Sequence, residues 1–136
     1  MPRILAVDFG ERRIGLATSD ASATVATPRR TLHRQDDEAA LDALERFGRE
    51  EEIELVVFGI PRSPDGVESA FAGRIRSFAG KLARRTGLPT RFHEETLTSD
   101  EAARRLPRPK SREELDAMAA AVLLEDYLLS VESRTS

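Results

Sequence analysis

The run Ile4-Leu5-Ala6-Val7 is four apolar residues, two of them β-branched, and it leads directly into Asp8-Phe9-Gly10. Such a run reads as a strand buried on both faces that delivers Asp8 at its C-terminal end. A carboxylate there is costly unless it is paired or holds a cation, so what Asp8 faces must come from elsewhere in the chain. Arg12, Arg13 and a second strand-like run, Ile14 to Thr18, follow at once. The two runs read as a hairpin with Asp8 at its mouth. An Asp-x-Gly also starts ordinary turns, so a functional reading of Asp8 depends on its partners.

With 136 residues the chain fits one domain able to bury a core, read as residues 1–130 with a polar tail over 131–136. It contains no cysteine, which excludes disulfides, thiolate metal sites and a cysteine nucleophile. No apolar run is long enough to span a bilayer and no signal peptide is read, so a cytoplasmic location without membrane contact is the expectation. The net charge of −3 argues against a uniformly basic nucleic-acid binder. The basic residues are nevertheless concentrated: Arg104, Arg105, Arg108, Lys110 and Arg112 occur with no acid among them. That stretch reads equally as a solvated loop and as a phosphate-binding patch.

In chain order, Ser19 to Ser22 reads as a turn and Ala23 to Thr27 as a third strand. Pro28 marks its end or an edge, with Arg29 to Arg34 as an extended continuation. Leu41, Leu44 and Phe47 give an amphipathic helix over Glu38 to Glu51. Glu54 to Pro61 is a second buried strand, and Arg62 to Gly66 forms a loop at its tip. Phe71, Ile75, Phe78 and Leu82 space a helix over Glu68 to Arg85, closed by Gly87-Leu88-Pro89, with both phenylalanines assigned to the core. Thr90 to His93 is a short strand leading into Glu94-Glu95. Ser99 caps a short helix over Asp100 to Leu106, which Pro107 and Pro109 break. Ser111 and Glu114 have capping-box spacing, so the last helix runs from Arg112 to about Leu129. Asp116 lies at the border of its apolar stripe, whereas Asp126 falls near the middle with no evident reason.

Three strands followed by alternating helices and strands give an α/β domain with a mixed sheet and the first strand at its centre. Ligands of such sheets collect beyond the carboxyl ends of the strands, where Asp8, the loop after Gly59, and Glu94-Glu95 would all lie. With Asp116, these acids form an oxygen-only set suited to Mg²⁺ or Mn²⁺. Two such ions about 3.5–4 Å apart serve in-line phosphoryl displacement.

Asp8-Phe9-Gly10 with Arg13-Ile14-Gly15-Leu16-Ala17 and Ser19-Asp20 resembles the N-terminal motif of the YqgF/RuvX-like family, within the ribonuclease-H-like superfamily. Gly59-Ile60-Pro61 with Asp65-Gly66 is similar to that family's second motif, Glu94 to Ser99 to its third, and Asp116 with Ala119-Ala120, Leu123-Leu124 and Tyr127-Leu128 to its fourth. The resemblance covers nearly the whole chain in order. It implies a ribonuclease-H-like, five-stranded mixed sheet flanked by helices, with catalytic and metal-holding carboxylates at Asp8, Glu95 and Asp116. It also implies a divalent metal, Mg²⁺ or Mn²⁺, and nuclease activity in maturing the 5′ end of precursor 16S rRNA. Relatives suggest branched DNA as an alternative substrate. Two positions depart from the pattern: Thr96 stands where the family has an arginine, and the basic stretch before Asp116 is split by prolines.

On this reading Arg12, Arg13, Arg104, Arg105, Arg108, Lys110 and Arg112 position backbone phosphates rather than read bases. His33 and His93 are candidate proton carriers with equally good structural roles, and Thr98 is a candidate to orient Glu95. The protein is expected as a monomer or a homodimer, with the Phe9 hairpin and the last helix as candidate seams. Two rivals remain. An actin-like kinase or chaperone ATPase also opens on an Asp-x-Gly hairpin but needs a second domain, and an RNA-binding assembly factor would keep the fold without cleavage.

Overall fold

The computed structural model describes residues 3–20, 25–63, 65–95 and 111–135, with side chains through residue 131. Its elements are β1 (Ile4–Phe9), β2 (Arg13–Ser19), β3 (Ala26–His33), α1 (Asp37–Glu50), β4 (Leu55–Pro61), α2 (Ala70–Thr86), β5 (Thr90–Glu95) and α3 (Arg112–Thr135). The strands form one five-stranded sheet in the order β3-β2-β1-β4-β5. β1 pairs antiparallel with β2 and parallel with β4, and β4 pairs parallel with β5, so the sheet is mixed and β1 is central, as expected.

The β1 run is apolar throughout because both faces of the sheet are covered. Leu5, Val7 and Phe9 face a core made with Leu41, Leu44 and Phe47 of α1 and Ile75, Phe78 and Leu82 of α2. The Phe9 and Phe78 ring centroids lie 4.7 Å apart. Ile4 and Ala6 face the opposite way and pack with Ala17 and Val57 against Ala120, Ala121, Leu123 and Leu124 of α3. Each fully buried Leu or Phe side chain contributes about 1.5–3 kcal/mol. On the α3 face Ala6, Ala17 and Gly15 present little or no side chain, and this lets the helix lie close to the sheet.

The Ser111 cap is the one its spacing predicts, while Asp36 and Ser69 cap α1 and α2 without having been singled out. Asp36 Oδ1 accepts from the Ala39 amide at 2.7 Å, Ser69 Oγ from Ala72 at 3.1 Å, and Ser111 Oγ from Glu114 at 3.1 Å. Gly87 ends α2 at φ 74°, a left-handed conformation that favours glycine.

The structure corrects several boundaries. β3 starts at Ala26, not Ala23, and runs through Pro28 to His33. Proline is tolerated there because β3 is an edge strand, and the ladder shifts at Leu16/Ala17, just beside the Ala17–Pro28 pair. β5 carries both Glu94 and Glu95 within the strand instead of past its end, because pairing with β4 continues to Pro61. α3 passes the expected end at Leu129 and continues to Thr135 through the stretch read as a polar tail. Asp126 is half-buried on it and makes a polar or electrostatic contact. Phe9 itself is buried in the core. The short helix over 100–106 with its Ser99 cap lies outside the described residues.

Candidate active site

Asp8 is the third residue of β1, after Ile4 and Ala6, to face α3, and its cross-strand partner on β2 is Gly15. On the other side, β1 and β4 are in register at Val7 and Phe58, which brings Gly59 beside Asp8. Both neighbours of the aspartate in the sheet therefore lack a side chain. On β5, Glu95 pairs with Pro61, one pleat beyond the Gly59–His93 pair. Its side chain nevertheless leans back over the glycine: a Cβ at Gly59 would stand 2.6 Å from Glu95 Oε1 and 2.9 Å from its Cγ. Lying there, the Glu95 carboxyl reaches Asp8 and hydrogen-bonds with it.

Asp116 arrives from the second turn of α3. The helix is so close to β2 at this point that a Cβ on Gly15 would fall 2.1 Å from the Asp116 carbonyl oxygen. The start of α3 is tied to the β2–β3 pair at several points. Thr31 Oγ1 donates to the Glu113 carbonyl at 2.5 Å, His33 Nε2 lies 2.5 Å from Glu113 Oε1, and Arg13 Nε donates to Asp116 Oδ2 at 2.5 Å. Arg13 and His33 are themselves cross-strand partners.

The Asp8 carboxyl is pushed well above its ordinary value of 3.8. Burial is the largest cause; the Glu95 charge and hydrogen bond and then the Asp116 charge add to it. Of the three acids singled out by sequence, Glu95 and Asp116 thus both act electrostatically on Asp8 at one end of the sheet. Among the described residues no three Asp, Glu or His side chains are set closely enough to hold an ion as they stand, and the Asp116 carboxylate is engaged by Arg13. The donor chemistry still fits a hard divalent cation. Asp8 and Glu95 are two carboxyl groups brought together in a half-buried place, and a cation between them would satisfy both.

Of the cations expected to contact phosphate, Arg12 and Arg112 are exposed at the hairpin turn and at the start of α3. Arg13 instead holds Asp116. Arg104, Arg105, Arg108 and Lys110, with Thr96 and Thr98, lie outside the described residues. The His33 imidazole serves Glu113, and His93 stands edge-on to Tyr127 with ring centroids 5.8 Å apart.

Three residues with positioning roles were not singled out from sequence. Gly15 and Gly59 make room for Asp116 and Glu95; the available signal was a glycine inside each of two apolar strands, which marks a close approach. Arg34 was the third. Its guanidinium lies 4.8 Å over the Phe9 ring, donates to the Gly10 and Glu11 carbonyls at 3.3 and 2.9 Å, and reaches Asp37 Oδ1 at 3.1 Å. It braces the turn that follows Asp8, and nothing in its sequence context announced this.

Residues 2–130 match the family described as RuvX, Holliday junction resolvase. A protein of Chloroflexus aurantiacus (strain ATCC 29366 / DSM 635 / J-10-fl) named "Putative pre-16S rRNA nuclease" is 35% identical over 130 residues, spanning 92% of this chain and 85% of that protein. A protein of the same name from Anaeromyxobacter sp. (strain Fw109-5) is 38% identical over 131 residues, spanning 93% and 96%. Among solved structures, T. thermophilus RuvC in complex with Holliday junction substrate superposes with a TM-score of 0.65 at 14% identity, covering 98% of this chain and 97% of that one. The fowlpox virus resolvase in complex with Holliday junction DNA gives 0.58 at 12% identity, covering 95% and 98%. At these identities the structures speak to fold alone, and the fold is the ribonuclease-H-like one of RuvC. With the family match across nearly its whole length, the chain belongs to the RuvX family of nucleases.

Proposed function

We propose that this nuclease is metal-dependent and hydrolyses phosphodiester bonds in the 5′-end processing of precursor 16S rRNA, in the cytoplasm. The observation that carries the reading is the meeting of the Asp8 and Glu95 carboxyls across Gly59, with the Asp116 charge close enough to act on them. Asp8, Glu95 and Asp116 are the residues that would hold Mg²⁺ or Mn²⁺, one ion or two. When bound, the cation supplies an activated water and neutralises charge on the reacting phosphate. The chain's own contribution is placement. β1 and β5 hold two carboxyls on one sheet, and α3 presents the third. Arg12 and Arg112, both exposed, position backbone phosphates. The names of the relatives above support the RNA substrate. The family description supports a second reading, a resolvase for branched DNA, which would require a dimer with two active sites. The ATPase alternative rests on the Asp-x-Gly hairpin alone.

The test is cleavage of end-labelled precursor 16S 5′-region RNA, single-stranded DNA and a four-way junction, with Mn²⁺, Mg²⁺ or EDTA, by wild type and Asp8→Asn. RNA cleavage lost in EDTA and in Asp8→Asn is the expected result. Junction cleavage in preference to RNA would favour the resolvase. RNA binding without any cleavage would overturn both and leave the assembly factor.

A further inference from the structure

Arg13 has a place in the site that phosphate binding alone does not explain. Its Nε donates to Asp116 Oδ2 at 2.5 Å, and the two side chains are equally open to solvent, at 25% each. It projects from β2 on the same face as Gly15, two residues away, and so reaches the one carboxylate of the three that α3 carries. Asp8 and Glu95 are bonded to each other. Asp116 is bonded to a cation that belongs to the protein.

The helix does not depend on that bond. The backbone of α3 is seated on Gly15 by direct contact, and its first turn is fixed to β3 through the Thr31 hydroxyl and the His33 ring, both on Glu113. Below it, Ala120, Ala121, Leu123 and Leu124 are packed against the sheet. Arg13 could therefore let go of Asp116 with the helix still in place, and what would change is the carboxylate's charge partner. A divalent cation held by Asp8 and Asp116 and the Arg13 guanidinium would compete for one carboxylate and repel each other at close range.

We infer that Arg13 is a placeholder cation: it holds the Asp116 carboxylate until a divalent cation takes it, and the released guanidinium then binds the substrate phosphate. The inference rests on the metal-dependent reading above and adds an order of events to it. Cation binding comes first and frees the arginine, whose planar fork matches a phosphate. Arg13 is then a positioning residue in the metal-free protein and a substrate contact in the loaded one. The alternative is a fixed orienting partner that keeps Asp116 aimed at the metal, and the two roles have opposite consequences. Removing an orienting partner weakens metal binding, by about 10- to 100-fold where such partners have been removed. Removing a competitor strengthens it.

The experiment is a Mn²⁺ titration without substrate, by calorimetry and by electron paramagnetic resonance, on wild type, Arg13→Gln and Asp8→Asn. Arg13→Gln is expected to bind Mn²⁺ more tightly by roughly 5- to 150-fold, the usual span of coupling between two ligands. At saturating Mn²⁺ the same variant should show a raised KM for nucleic acid. Unchanged or weaker Mn²⁺ binding in Arg13→Gln, with Asp8-dependent binding in wild type, would overturn the placeholder and leave the nuclease reading standing. Mn²⁺ binding that ignores Asp8→Asn, or is absent from wild type, would overturn both. Should Arg13→Gln not fold, the Arg13 Nε–H resonance of the wild type can be followed through a Mg²⁺ titration. It should lose its strongly hydrogen-bonded shift as Mg²⁺ saturates, and an unmoved resonance at saturation would sink the inference.

Discussion

The side chain of Glu95 lies where a Cβ of residue 59 would be: Oε1, Cγ and Cδ come within 2.6, 2.9 and 3.0 Å of that position. Gly59 is thus the floor on which the carboxyl crosses from β5 toward β1. Glycine inside a strand costs about 0.5–1 kcal/mol relative to alanine, and the cost is tolerated where it lets two carboxyls meet.

Gly59→Ala should separate stability from activity. The obstructed atoms belong to a flexible side chain that can swing aside, so the unfolding temperature should stay within a few degrees of wild type. The displaced carboxyl should lower cleavage about 100-fold, the order of effect that an ångström of misplacement produces. Cleavage within threefold of wild type, beside an unchanged circular dichroism spectrum, would remove Glu95 from the active site.

Gly15→Ala should behave in the opposite way. Its Cβ would meet backbone, 2.1 Å from the Asp116 oxygen and 2.6 Å from the Asp116 carbonyl carbon, so α3 itself has to lift. Overpacking of this kind costs about 1–3 kcal/mol, or several degrees in unfolding temperature for a domain of this size. Thermal unfolding of the two glycine variants side by side is the measurement; equal stabilities would contradict the difference between a helix backbone and a movable side chain.

The β1 run was readable because burial on both faces leaves no polar position until Asp8, and α1 and α2 because their apolar residues recur at helical spacing. The order of the motifs named the family. β3 was misplaced because an edge strand carries little apolar signal: Arg29 and Arg30 are exposed and Pro28 sits inside it. β5 was cut short for a related reason, since Glu94 and Glu95 are charged residues that pair with β4 only because the strand lies at the other edge. At the site, the acids could be chosen from sequence, but their arrangement could not. Which acid bonds to which, and that Arg13 serves Asp116, depends on how closely α3 settles on Gly15.

Arg34 makes a prediction about the turn after Asp8. Its side chain is mostly buried, satisfies the Gly10 and Glu11 carbonyls and stacks on Phe9. Hydrogen bonds to a charged donor contribute about 1.5–3 kcal/mol, so Arg34→Ala should lose about 2 kcal/mol in urea unfolding. Arg34→Lys should recover little of it, because an ammonium cannot fork between two carbonyls while lying flat on a ring. A lysine variant as stable as wild type would show that charge alone is at work.

Asp8 makes the prediction that most directly ties stability to function. Burial, the Glu95 charge and hydrogen bond, and the Asp116 charge raise its carboxyl above 3.8 in the folded protein, so the fold favours the protonated form. Below the unfolded value both states are protonated and Asp8 imposes no penalty. As pH rises above it, the unfolded chain ionises first and stability falls, until the folded carboxyl also ionises; beyond that point the penalty is complete and constant. Without divalent cations, Asp8→Asn should therefore be more stable than wild type at neutral pH, and the difference should close as pH falls toward 3.8. Glu95 and Asp116 both act on this group, and Arg13 is bonded to Asp116, so the closing should be broader than a single titration. Mg²⁺ or Mn²⁺ should reverse the ranking by stabilising wild type, by about 2.7 kcal/mol at a concentration one hundred times the Kd, while leaving Asp8→Asn unmoved. Calorimetric unfolding across pH, with cation and with EDTA, reads all three effects. A neutral-pH Asp8→Asn less stable than wild type in EDTA would mean that the charge on Asp8 is satisfied by the fold, and that no cation is needed to explain its burial.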